Sequence, residues 1–127
     1  MSPRRLDVGP VCGDDPAMRT VVALNHEYMG HGDTSLGRRI LKTFLQKAIV
    51  LQDLDAVVFY NGGVKLVAAG SPVRAELAML EEHGVDLVPC GTCLQHYGLK
   101  DRVAVGGTGG MDEIVGLLGE AGKVVTV

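Results

Sequence analysis

Two cysteines separated by two residues, Cys90-Gly91-Thr92-Cys93, are the group in this sequence best suited to covalent chemistry. The apolar run Val85-Asp86-Leu87-Val88-Pro89 precedes them and Leu94-Gln95-His96-Tyr97 follows. A strand is therefore expected to deliver Cys90, and a short helix to open at Cys93. Thiols at this spacing sit close to one another and to the amides of a first helical turn, which with the helix dipole favour thiolate over thiol. A thiolate facing solvent at a strand end is a nucleophile for sulfur chemistry. His96 extends the spacing to Cys-x2-Cys-x2-His, which leaves a zinc site as an alternative. A closed zinc site needs a fourth ligand, from His26, His31 or a neighbouring subunit.

Other polar groups fall where they could serve those thiols. Lys65 lies just past a strand end, after Asn61-Gly62-Gly63. A cation there would lower a thiolate pKa or hold an anionic sulfur group, against the plain reading of a solvated lysine. His26 and His31 are candidates for donating a hydrogen bond or a proton, and otherwise are polar loop residues. Asn25 and Asn61 stand at strand ends, where asparagine also bonds its own backbone in turns. Asp33 reads as a helix cap, and Tyr60 and Tyr97 as packing. Cys12 reads as an incidental thiol. The run Gly106–Gly110 lacks the Lys-Ser/Thr of a phosphate-binding loop, and no Gly-x-Gly-x-x-Gly follows the first strand, so nucleotide binding has little support. Its glycines fit positive φ or close approach to a neighbouring chain.

The elements that must position these groups are legible as an alternation. Thr20–Asn25, Asp55–Tyr60, Val85–Pro89, Arg102–Val105 and Lys123–Val127 read as strands. Between the first two, Asp33, Thr34 or Ser35 caps an amphipathic helix whose apolar face is Leu36, Ile40, Phe44 and Ala48, widened by Leu41, Leu45 and Ile49. Val64–Ala69 reads as a helical turn. Ser71-Pro72 opens a second helix carrying Val73, Leu77 and Leu80, and Gly84 closes it. Another helix runs from about Met111 to Leu118. This gives a layered α/β domain over residues 20–127 with a mostly parallel sheet, preceded by a flexible arm over residues 1–19 that holds Pro3, Pro10 and Pro16. The working surface of such a fold lies beyond the carboxyl ends of the strands. Asn25–Asp33, Asn61–Lys65, Cys90–Cys93 and Gly106–Met111 are expected to converge there.

Composition narrows the class. A chain of 127 residues holds one domain with a sizeable core. Aromatic content is 4% against 46% hydrophobic, so aliphatic side chains must fill that core. A formal net charge of -3 argues against a general nucleic-acid surface. No apolar run approaches bilayer length, no secretory signal is visible, and three cysteines do not make a disulfide scaffold. A cytoplasmic protein without nucleic-acid or membrane partners is the expectation.

Several segments together carry a family resemblance. They are Met29-Gly30-His31-Gly32-Asp33, Leu36-Gly37, Phe59-Tyr60-Asn61-Gly62-Gly63-Val64-Lys65-Leu66, Leu80-Glu81-Glu82-His83-Gly84-Val85 and Cys90-Gly91-Thr92-Cys93-Leu94-Gln95-His96-Tyr97-Gly98-Leu99. In this order and spacing the chain resembles the DsrE-like family from about Thr20 to the end. Within it, the chain is most similar to the carboxy-terminal domain of YedF-type proteins, which are sulfurtransferase-like and associated with selenium metabolism. The resemblance implies a DsrE-like three-layer α/β sandwich, assembly into homo-trimers or homo-hexamers, and sulfur carried as a cysteine persulfide without a cofactor. Sulfur-donor and sulfur-acceptor proteins or small thiols are the implied partners. The family's sulfur-carrying cysteine follows the strand that here ends in Cys90, so that role carries onto Cys90. Cys93 is the second cysteine of the YedF-type motif, and Gly91, Thr92 and Met111 join the supporting positions. Two departures stand out. The chain is too short to include the amino-terminal TusA-like domain of the usual YedF architecture, and the family's Asn-Met is here Gly110-Met111. Two other functions stay open on the residues: a dithiol/disulfide redox protein using Cys90 and Cys93, and a non-catalytic oligomeric binding module.

Overall fold

The computed structural model describes residues 19–107 and 109–127. Apart from Arg19, the arm expected over residues 1–19, with Cys12, lies outside the described residues. Four strands, β1 (Thr20–Leu24), β2 (Leu54–Phe59), β3 (Asp86–Pro89) and β4 (Lys123–Thr126), form one parallel sheet in the order β3-β2-β1-β4. The two central strands bury nearly every residue, as parallel strands covered on both faces must. Leu24 pairs with Phe59, and Phe59 with Pro89, so three strands end level with one another. β4 is an edge strand and mostly exposed.

The order fixes which faces the helices cover. Helix α1 (Thr34–Lys47) joins β1 to β2, and α2 (Arg74–Glu82) joins β2 to β3. The chain then passes through α3 (Gly91–His96) and α4 (Met111–Glu120) and returns past β1 to β4. Right-handed crossovers place α1 and α2 on one face, where they touch, and α4 on the other. The result is the three-layer α/β sandwich that the sequence predicts. Its crevice opens where outgoing connections part to opposite faces, between the carboxyl ends of β2 and β3. The core is aliphatic, with Leu24, Leu41, Leu45, Leu77, Leu80, Leu94 and Ile114 around the single large aromatic, Phe59.

Three expectations need correction. Arg102–Val105 is not a strand of the sheet. A 3-10 turn occupies Lys100–Arg102, and Val103 makes an isolated antiparallel bridge to Ala68. The chain reaches the β3 edge only later, where the N–H groups of Gly107 and Gly109 donate to the Leu87 and Pro89 carbonyls. The sheet face of α1 is the line Gly37–Leu41–Leu45, continued by Ala48, which leaves Leu36 and Ile40 exposed. Gly37 dictates this rotation, because the β1–α1 loop lies on it. Its carbonyl accepts from Met29 N–H, and a Cβ there would stand 2.9 Å from Tyr28 Cβ. Finally, α2 starts at Arg74 rather than Pro72, since the Ser71 hydroxyl accepts from the Val73 N–H in a tight turn. The Asp33 cap and the left-handed Gly84 stop stand as predicted.

Candidate functional site

Cys90 leaves β3 and occupies the N-cap position of α3, so the change from extended to helical backbone happens at the sulfur itself. Leu94, fully buried, anchors the short helix to the core, and the N–H of Leu94 donates to the Cys90 carbonyl. Both thiols are free. Cys90 is 2% exposed and Cys93 is half-buried.

The two sulfurs are pushed in opposite directions. Burial raises the Cys90 thiol, but the Cys93 amide and thiol and the Thr92 amide and hydroxyl together hold it below the usual cysteine value. No tight capping bond forms at the Cys90 sulfur, so this is the summed effect of several donors rather than of one bond. Burial also raises Cys93. The Asn61 N–H, 3.2 Å from its sulfur, lowers it, while the hydrogen bond and charge of Cys90 raise it again, and the thiol ends above the usual value. Cys90 is thus the thiol its surroundings favour as thiolate, and Cys93 the one they favour as thiol.

Loops from three strands surround the pair. After β2 the chain enters a 3-10 turn, Asn61–Val67, with Asn61 in the left-handed region at φ 50°. Gly63 lets this turn lie directly on the end of β1, since a Cβ there would strike the Leu24 carbonyl. Gly62 faces the backbone of Asn25 and His26. From the other side, the Gly109 carbonyl accepts from Gly91 N–H at 2.8 Å, and Met111 opens α4 two residues on, exposed. Asn61, Gly91, Thr92 and Gly109 are thus gathered at the thiols, with Asn25 and His26 behind Gly62.

Lys65, His31 and His96 are directed elsewhere. The Lys65 ammonium pairs with Glu27 at 3.4 Å and lies 4.6 Å from the Tyr97 ring centroid. The groups that favour the Cys90 thiolate are amides, a thiol and a hydroxyl, and do not include Lys65. His31 meets His26 edge-on at 5.9 Å, and His26 stacks on Tyr28. His96 turns its ring to Tyr97. Among the described residues no group of three or more His, Cys, Asp or Glu could hold a metal ion, so the Cys-Cys-His set of the zinc alternative is not assembled. Two residues near the site were not expected there, Tyr97, read from the sequence as packing, and Glu27, which the sequence reading did not single out. Tyr97 donates to Asn61 Oδ1 at 2.8 Å, and Glu27, paired with Lys65, lines with it and Tyr97 a cleft of about 420 Å³. Spacing could have found Tyr97, four residues after Cys93 and so on the same side of α3.

The profile of the DsrE/DsrF-like family matches residues 18–127. The chain belongs to this family. DsrE-type membership supports a general role in sulfur relay. Solved structures agree on the fold. The chain resembles MTH1491 from Methanobacterium thermoautotrophicum, described as of unknown function, with a TM-score of 0.65 and 20% identity, covering 87% of this chain and 99% of that one. It resembles the ychN protein of E. coli equally in shape, at 0.65 and 19%, over 87% and 99%. BT1422 of Bacteroides thetaiotaomicron, also of unknown function, follows at 0.61 and 15%, over 85% and 94%. No curated protein matches. No helix among the described residues of this DsrE-type domain is long and apolar enough to cross a membrane.

Proposed function

We propose that this protein is a sulfur carrier that holds sulfane sulfur on Cys90 as a persulfide and passes it to an acceptor thiol. The observation that carries this reading is the placement of a free thiol, Cys90, at the N-cap of α3 where β3 ends, with the free thiol of Cys93 in the same first turn; the turn lowers the Cys90 thiol. Attack by the Cys90 thiolate on the outer sulfur of a donor persulfide forms one S–S bond and breaks another, and the donor leaves as its thiolate. An acceptor thiolate then attacks the outer sulfur of Cys90 persulfide, and the Cys90 thiolate leaves. Nothing is oxidised or reduced overall. A thiol of low pKa serves both steps, as the ionised nucleophile and as the better leaving group. Because Cys90 is buried, a donor reaches it after local opening of the turn.

The donor and acceptor are proteins or small thiols that present a persulfide or a free thiol. The YedF-type motifs support extending the cargo to selenium, and the expected assembly is a homo-trimer or homo-hexamer in the cytoplasm. Leu36 and Ile40 on α1 and Met111 and Val115 on α4, all exposed in the single chain, support self-association.

The relay is tested with a donor persulfide labelled at its outer sulfur, an excess of acceptor thiol and a substoichiometric amount of protein. Label is expected to reach the acceptor faster than in the protein-free mixture, and Cys90→Ser is expected to abolish the gain. Equal rates with and without the wild-type protein would remove the reading. A dithiol/disulfide cycle is a second reading, supported by two free thiols at the N-cap and in the first turn of one short helix. It requires that Cys90 and Cys93 pair at some defined potential of a thiol redox buffer, and failure to pair at any potential excludes it.

A further inference from the structure

Tyr97 reaches the thiol pair without touching a sulfur. Its hydroxyl donates to Asn61 Oδ1 at 2.8 Å, and the Asn61 N–H donates to the Cys93 sulfur at 3.2 Å. Asn61 adopts a left-handed φ of 50°, which asparagine tolerates better than most residues but which persists where the surroundings hold it. The Tyr97 ring is fixed in turn, with the Lys65 ammonium 4.6 Å from its centroid and His96 edge-on at 4.9 Å. A cation near the ring makes the phenol a stronger donor. Glu27 holds that cation at 3.4 Å. A continuous path of contacts therefore runs from the cleft beside Glu27 and Lys65 through Tyr97 and Asn61 to Cys93.

We propose that Tyr97 is a positioning residue of the thiol site: its hydroxyl holds the Asn61 side chain, and with it the left-handed turn, so that the Asn61 N–H stays aimed at the Cys93 sulfur. The purpose of this arrangement rests on the relay reading above. Once Cys90 carries a persulfide, Cys93 is the thiol placed to discharge it. Cys93 gives up its proton and attacks the inner sulfur; the Cys90–Cys93 disulfide forms, the outer S–S bond breaks, and the outer sulfur leaves as hydrosulfide with that proton. The sulfane sulfur is reduced and the two thiols are oxidised, and an external dithiol returns them to the reduced state. Negative charge stands on the Cys93 sulfur once its proton has gone and before it attacks, and the Asn61 N–H already points at it, so no donor has to be recruited to form the thiolate.

The test measures Cys93 alone, in the full chain with Cys12→Ser and Cys90→Ser, by the pH dependence of iodoacetamide alkylation. Tyr97→Phe keeps the ring and loses the hydroxyl. It is expected to move the alkylation midpoint to higher pH and to slow alkylation at neutral pH by about three- to tenfold, a part of one hydrogen bond to an anion. Asn61→Gly keeps the N–H and tolerates the backbone angle but loses the acceptor, so it is expected to give the same shift. The double variant is expected to shift no further than either single one, because both cut the same path. A midpoint unmoved in Tyr97→Phe, even with lowered thermal stability, overturns the proposal, and so do additive shifts. If Tyr97→Phe does not fold, Asn61→Gly decides alone: an upward shift supports the path and an unmoved midpoint overturns it. No sulfur donor enters this measurement. Loss of persulfide loading with the Tyr97 shift intact removes the relay and leaves the positioning role; loading intact with no shift removes the positioning role only.

Discussion

Cys90 and Cys93 differ in acidity because different groups face them. Cys90 faces the Thr92 hydroxyl, two amides of α3 and the Cys93 thiol, whereas Cys93 meets one amide, from Asn61, and the charge of Cys90. A lowered thiol is ionised to a larger fraction at neutral pH, so its alkylation reaches half its limiting rate below the pH of an ordinary cysteine. Cys90 is accordingly expected to have an alkylation midpoint below that of an unstructured cysteine peptide, and Cys93 one above it, by mass mapping of the labelled peptides across pH. Thr92→Val removes a hydroxyl and keeps the amide, and is expected to move the Cys90 midpoint upward. At this scale the sequence shows the thiol pair and its turn plainly, since C-x-x-C follows an apolar run that ends in a strand. It says less at Lys65, where charge and loop position suggest a thiolate partner. The ammonium is instead spent on Glu27 and the Tyr97 ring, both of which depend on how distant loops fold together.

Among the elements, the turn after β2 and the first turn of α1 are held by unlike devices. The 3-10 turn at Asn61–Val67 depends on Gly63 having no side chain, because its backbone rests on the Leu24 carbonyl. Gly63→Ala must displace that turn and is expected to cost about 2–3 kcal/mol by urea unfolding, as over-packing does. Loss of Asn61 alignment at Cys93 should accompany it. The α1 cap is local: the Asp33 carboxylate accepts from Leu36 N–H at 3.0 Å in an exposed position. Asp33→Ala is expected to cost about 1 kcal/mol and leave thiol reactivity unchanged. Asp33 was legible because a cap is written in adjacent residues. The rotation of α1 was not, because Gly37 selects its face by contact with a loop whose path no periodicity reveals. Arg102–Val105 has strand-like residues, but the antiparallel bridge of Val103 to Ala68 keeps it from the sheet. Two glycines of the next loop are explained within the chain: Gly106 has a positive φ and lies against the Leu87 carbonyl, and Gly109 lies against Val88 and Glu113.

The described residues form a parallel four-stranded sheet between helical layers, and both the strand alternation and the nearly all-apolar central strands announce it in the sequence. The crevice between β2 and β3 follows from strand order alone, and the thiols lie at its mouth. Assembly is the prediction that belongs to this scale. Native mass at micromolar protein is expected to give a trimer or hexamer, and Ile40→Glu, placing a charge on the exposed face of α1, is expected to shift it toward smaller species; a stable wild-type monomer contradicts the assembly. The proposed function depends on one event, transfer of sulfur to Cys90. Its most direct test is intact mass under non-reducing conditions after incubation with a persulfide donor whose activity is verified separately. The expected result is the gain of one sulfur atom per chain on the wild type and on Cys93→Ser, mapped to the Cys90 peptide and absent from Cys90→Ser. No gain on the wild type, or a gain that survives Cys90→Ser, contradicts it.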